Sequence, residues 1–164
     1  MSISLTFGLN ANRAVVSQFS LKVIEDILRV AGLSSALITS TSRTPAQQAR
    51  VMFTNIVQQG VARQKQLYGA AGDKVIDVFV EGKAKGKNPE QIRAAMEAKI
   101  IALGPTTVSH HVADPKKLNV IDIAPSSIAK RQAFIDAVKA EGRVRKFLQP
   151  PNDPAYHLEI PQPV

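Results

Sequence analysis

A chain of 164 residues, 45% hydrophobic and 21% charged, has the length and apolar content to bury a core of its own, so a single domain spanning residues 1–164 is expected. Because the chain contains no Cys, disulfides, thiolate nucleophiles, iron-sulfur clusters and thiolate zinc sites are all excluded, and any metal must be held by His, Asp or Glu. Lys and Arg number 21 against 13 Asp and Glu, and the resulting charge of +8 points to an anionic partner such as nucleic acid, anionic lipid or a cell-wall polymer. Nucleic-acid binding by stacking is disfavoured, because Trp is absent and only two Tyr and six Phe are available.

No apolar run approaches the roughly 20 residues that span a bilayer, so no membrane span is expected. The first thirty residues lack a basic segment leading into an apolar one. A product made in the cytoplasm without a signal peptide is therefore the expectation.

The first helix is predicted over residues 20–31, with Ser20 as N-cap, Leu21, Ile24, Ile27 and Leu28 on one face, and Gly32 after its end. Ala36 to Thr39 reads as a short buried strand that runs into the polar loop Ser40 to Arg43. Thr44 as N-cap, Pro45 at the first position and Gln47 at the third then start a helix whose stripe is Ala49, Met52, Phe53 and Ile56, ending at Gly60. Residues 61–87 lean towards helix through Val75, Ile76, Phe79 and Val80, although the run Val78 to Val80 would also suit a strand, with an exposed turn at Gly82 to Lys87. Asn88, Pro89 and Gln91 open the best-punctuated helix, which carries Ile92, Ala95, Met96, Ile100 and Leu103 and stops at Gly104 and Pro105. A last helix is predicted from Ser126 or Ser127 to Glu141, and strands at Leu118 to Ala124 and Ala155 to Ile160. Helices first and a small sheet completed late make an α+β fold.

All three His residues, His110, His111 and His157, lie in the last third of the chain. Strand alternation puts Asp122 on one face with Leu118 and Val120, and Ile121 and Ile123 on the other. A carboxylate in such an apolar strand needs a partner, either an Arg, a backbone cap or a cation. The same alternation puts His157 and Glu159 on one face of the last strand, and Tyr156, Leu158 and Ile160 on the other. A structural ion pair and a satisfied buried His remain open for these residues. Two His and one Asp would supply three nitrogen and oxygen ligands, the composition of a catalytic zinc site with an open fourth position.

Four pieces occur in order: Ser40 to Gln47 (STSRTPAQ), Ser109 to His111 (SHH), Val120 to Ile123 (VIDI) and Tyr156 to Glu159 (YHLE). Together they resemble the VanY/VanX-like D,D-carboxypeptidases and L-alanyl-D-glutamate endopeptidases. These are zinc peptidases that cut peptidoglycan stem peptides and include many phage endolysins. The resemblance covers residues 36–160. It implies a single peptidase domain over 1–164, a small antiparallel sheet carrying the metal site and flanked by helices, as in the hedgehog and D,D-peptidase folds, and Zn2+ as cofactor. Position by position it implies His111, Asp122 and His157 as ligands, with His110 intervening. Arg43 falls on the Arg that holds the scissile carbonyl or a substrate carboxylate, and Gln47 and Ser109 fall on substrate-binding positions.

Two departures stand out. Ten residues separate His111 from Asp122 instead of the usual six, which keeps His110 open as an alternative ligand. The catalytic Glu expected three residues before the last His is replaced by Pro154. The nearest carboxylates are Asp153, taken as the general base, and Glu159, taken as its alternative or as a residue that orients a ligand. The implied function is zinc-dependent hydrolysis of an amide bond in murein stem peptides or cross-links, by a monomer that acts on the anionic bacterial cell wall after release or delivery. A catalytically impaired relative that binds metal and cell wall, or a virion structural module, is the alternative. A basic nucleic-acid-binding domain with incidental His is a third reading.

Overall fold

The computed structural model describes residues 1–164, which form seven α-helices and a five-stranded mixed sheet, so the fold is α+β. The chain divides into two compact units: Met1–Ser42 with Asp114–Val164, and Arg43–Ala113.

The first unit holds the whole sheet, built from β1 (Ser4–Phe7), β2 (Ser35–Ser40), β3 (Leu118–Ile123), β4 (Lys146–Leu148) and β5 (Tyr156–Pro161) in the order β1-β2-β3-β5-β4. The expected antiparallel sheet is in fact mixed, because β1 runs parallel to β2 while the other pairs are antiparallel. β1 lies at the start of the chain, ahead of every helix, and alternates polar and apolar residues over only four positions, while β4, the other edge strand, has only three. Against the sheet pack α1 (Gln18–Val30) and α7 (Arg131–Ala140). Ile24, Ile27, Leu28, Phe134 and Val138 meet Ile38, Ile121, Ile123, Leu158 and Ile160 in one core, so the apolar faces of β3 and β5 are turned towards helices.

Helix α1 starts earlier than predicted. The hydroxyl of Ser17, not Ser20, caps it by accepting the Ser20 backbone N–H at 3.0 Å, and Ser20 is buried inside the first turn, where it accepts a hydrogen bond from Gln162. At the other end Gly32 takes φ 67° and closes the helix, with the Leu33 N–H reaching back to the Leu28 carbonyl. Helix α7 starts later than predicted: Pro125–Ser127 forms a separate 3-10 turn, in which the Ser127 hydroxyl bonds the Ala124 carbonyl, and the α-helix begins at Arg131.

The second unit is helical: α2 (Pro45–Gln59), α3 (Val61–Leu67), α4 (Ala70–Ala84), α5 (Pro89–Leu103) and the single turn α6 (Pro105–Val108), followed by a 3-10 turn at His110–Val112. Both predicted capping boxes form, Thr44 with Gln47 and Asn88 with Gln91. The core joins Met52, Ile56, Val75, Ile76, Phe79, Ile92, Met96 and Ile100. Pro105 opens α6 instead of merely ending α5, which suits its fixed φ at a first helical position. Gly82 does not begin a turn either, since it lies within α4 facing α5, and a β-carbon there would meet Ile92 Cγ1 at 2.8 Å.

Gly82→Ala is therefore expected to destabilise by about 1–2 kcal/mol, the overpacking cost exceeding the roughly 0.5–1 kcal/mol that Ala normally adds in a helix. Trimming the neighbour should reverse the sign, so a double-mutant cycle with Ile92→Ala, read by chemical denaturation, should show favourable coupling.

Arg143 generates a pH-dependent prediction. It donates to Glu141 at 2.7 Å and to Asp26 of α1 at 3.0 Å. Hydrogen bonds from Lys22 and then Arg143 hold the Asp26 carboxyl below its ordinary 3.8, and the Arg143 hydrogen bond holds Glu141 below 4.5. The stabilisation is thus present above those ordinary values and lost as pH falls through the depressed ones. Because the guanidinium is part-exposed, Arg143→Met should cost less than about 1 kcal/mol at neutral pH. That difference should shrink towards zero in acid, measured as the midpoint shift of urea unfolding at a series of pH values.

Candidate metal centre

The β3–β5 ladder sets Asp122 directly opposite His157, and Val120 opposite Glu159. With Ile121, Ile123, Tyr156, Leu158 and Ile160 committed to the core beneath the helices, the pleat leaves Asp122, His157 and Glu159 on the other face, together with the buried Leu118 and Val120. There His157 Nδ1 lies 2.9 Å from Asp122 Oδ1, and His157 Nε2 lies 3.1 Å from Glu159 Oε1. Glu159 is 1% exposed, and its second oxygen accepts from Arg145 Nη2 at 3.3 Å. Next to the ladder, Ser40 of β2 pairs with Asp122 across a register shift.

His111 lies on the 3-10 turn, not on the sheet, so the sheet carries two of the three expected ligands. Ser109 caps that turn, its hydroxyl accepting the His111 N–H at 3.3 Å. The turn buries His111 and leaves His110 exposed. The ligating atoms of His111, Asp122 and His157 all lie within 4.8 Å of one another. This buried His/Asp/His group can hold a metal ion, and its all-nitrogen-and-oxygen donor set suits Zn2+ among other divalent ions. Of the two adjacent histidines, the one in the group is His111.

The other predicted residues have local partners. The backbone N–H of Arg43 donates to the His111 carbonyl at 2.6 Å, and its guanidinium Nη1 donates to Gln48 Oε1 at 3.0 Å. Gln48 is fully buried and donates in turn to the Tyr68 hydroxyl at 3.1 Å. Gln47 is exposed, and its amide oxygen accepts the Thr44 N–H at 2.9 Å as part of the α2 cap. Asp153 sits in the turn before β5, where Oδ1 accepts the Ala155 N–H at 2.9 Å, and its charge acts on His157.

Gln48, Tyr68 and Arg145 went unread in the sequence. Gln48 left a signal, since it stands beside Ala49 on the buried side of an amphipathic helix, where an amide must find a partner. Tyr68 and Arg145 left none, because each meets its partner through the fold.

No family model, curated protein or solved structure matches this chain. The site therefore rests on its own geometry. No helix is long and apolar enough to cross a membrane.

Burial pushes the His157 imidazolium towards losing its proton. The Asp122 hydrogen bond and charge, followed by the Glu159 hydrogen bond and the charge of Asp153, outweigh burial and lift its pKa above the ordinary 6.5 in metal-free protein. The stabilisation from this imidazolium is complete below about 6.5 and is lost as pH rises through the raised folded value. Asp122→Asn is expected to lower the His157 pKa, followed by NMR titration of the imidazole protons. In metal-free protein it should also cost more stability in mildly acid than in alkaline solution.

Proposed function

We propose that this protein is a zinc-dependent peptidoglycan peptidase that hydrolyses an amide bond in murein stem peptides or their cross-links. The observation that carries the reading is the His111, Asp122 and His157 group, with ligating atoms within 4.8 Å of one another. The four ordered pieces that resemble those of the VanY/VanX-like peptidases support it. The net charge of +8 suits a protein that must gather on an anionic cell wall after release or delivery.

In this reading His111, Asp122 and His157 hold the zinc. When bound, the ion polarises the scissile carbonyl and brings the acidity of water towards a pKa of about 7. Arg43, held by Gln48, offers a fixed fork of donors to the negative charge that develops on the carbonyl oxygen. Asp153 accepts the proton of the attacking water and returns it to the leaving amine. Glu159 is poorly suited to that work, because it is buried with one oxygen on His157 and the other on Arg145. Ser109 fixes the backbone of the His111 turn, and Gln47 caps the helix that follows Arg43.

One observation favours a second reading, a metal-binding cell-wall module without turnover. The position before the last His where the family carries its acid is Pro154, and Asp153 spends one carboxylate oxygen on the Ala155 amide.

Digestion of purified sacculi, with and without chelator and read by product mass spectrometry, separates the two. A hydrolase releases stem-peptide fragments that vanish with chelation and return with zinc. Asp153→Asn should then lower kcat by about 10²- to 10⁴-fold while zinc content stays at wild-type level. Arg43→Ala should lower kcat by about 10²- to 10³-fold. Stoichiometric zinc and retained murein binding without any product would establish the module instead.

A further inference from the structure

We propose that Glu159, backed by Arg145, is a positioning residue that fixes His157 as its Nε2–H tautomer and so presents Nδ1, the nitrogen beside Asp122, to the metal. The proposal rests on the metal-site reading above and adds to it which nitrogen binds and what holds it there.

A neutral imidazole has one nitrogen that donates and one that accepts, and only the accepting nitrogen can ligate a metal. The two nitrogens of His157 face different carboxylates, Nδ1 towards Asp122 at 2.9 Å and Nε2 towards Glu159 at 3.1 Å. An ionised carboxylate only accepts, so in neutral His157 each carboxylate competes to keep the proton on its own side. Burial biases that competition. Glu159 is 1% exposed and Asp122 is 17% exposed, so solvent can take up part of the hydrogen bonding of Asp122 and almost none of that of Glu159.

Arg145 fixes Glu159 in turn. Its backbone N–H donates to the Glu159 carbonyl at 2.9 Å, and its guanidinium reaches Glu159 Oε2 at 3.3 Å, which leaves Oε1 directed at His157. The β4–β5 register sets Lys146 opposite Glu159, so the strand that covers the edge also delivers Arg145.

At the other nitrogen, Nδ1 stands 2.9 Å from Asp122 Oδ1, and both residues belong to the group whose ligating atoms lie within 4.8 Å of one another, so the two would face the same ion. The chain thus has the order Arg145, Glu159, His157, metal, and a ligand imidazole whose second nitrogen is tied to a carboxylate is held in tautomer and in ring orientation.

The test has two arms. Long-range ¹H–¹⁵N correlation of the metal-free protein in alkaline solution, with the His157 signals assigned by their loss in His157→Asn, should show the Nε2–H tautomer. Competition with a chromophoric chelator for Zn2+ should show affinity lowered about 100-fold in Glu159→Leu and about 10-fold in Glu159→Gln, whose amide oxygen still accepts, with Arg145→Met between them. An Nδ1–H tautomer in the wild type overturns the proposal, and so does unchanged zinc affinity in folded Glu159→Gln and Arg145→Met. Should Glu159→Leu fail to fold, those two milder variants and the tautomer decide. A wild type that binds no zinc removes the peptidase reading, while the tautomer still decides the role of Glu159. Zinc binding that depends on Glu159, in a protein that cleaves no murein, upholds the positioning and rejects only the peptidase.

Discussion

The antiparallel register of β3 and β5 is the constraint on which the rest depends. Because side chains alternate along each strand, seating Ile121, Ile123, Tyr156, Leu158 and Ile160 in the core leaves no freedom over where Asp122, His157 and Glu159 go. A slip by one residue would put all three polar side chains under the helices and take the apolar set out of that core. The hydrophobic energy of the core therefore enforces the geometry of the polar site, although no apolar residue takes part in its chemistry.

The polar face is expensive in isolation. A buried carboxylate such as Glu159 costs several kcal/mol unless it is matched by charge and hydrogen bonds. Here His157 stands between two carboxylates, and Arg145 closes the chain at its outer end. In unit 2 a second polar relay is built on the same terms, with Tyr68 and Gln48 behind Arg43. In both, a buried group with almost no solvent contact of its own holds a neighbouring side chain in place.

How much of this was legible follows from how local each signal was. The helices starting at Thr44 and Asn88 were readable to the residue, because cap, Pro and Gln all lie within one turn and the structure uses all of them. The faces of β3 and β5 were readable because alternation is a property of a strand by itself. The start of α1 was missed because two serines three residues apart were both able to cap, and the burial of Ser20 against Gln162, far along the chain, selected Ser17. β1 was missed although Ser4 to Phe7 alternate strictly, because four residues make a short signal and only the parallel pairing with the distant β2 makes them a strand. At the site, the identities of His111, Asp122 and His157 as candidates came from residue types and order. Arg145 and Tyr68 become visible only when distant segments meet.

The hydrogen bond from the Arg43 amide to the His111 carbonyl ties together the two ends of the helical unit. β2 and β3 are antiparallel neighbours, so in topological terms they form a hairpin whose connection is an entire folded unit. A flexible loop of that length would cost about 4 kcal/mol to close. A unit whose own folding brings its ends to hydrogen-bonding distance removes most of that entropy, and the hairpin is closed as if by a short turn. Such an insert can change in size or sequence between its ends without disturbing the strands it joins, provided the clasp at residues 43 and 111 is kept. The clasp also lies within the segment that supplies Arg43 and His111, so whatever varies inside the insert, these two residues keep their backbone spacing.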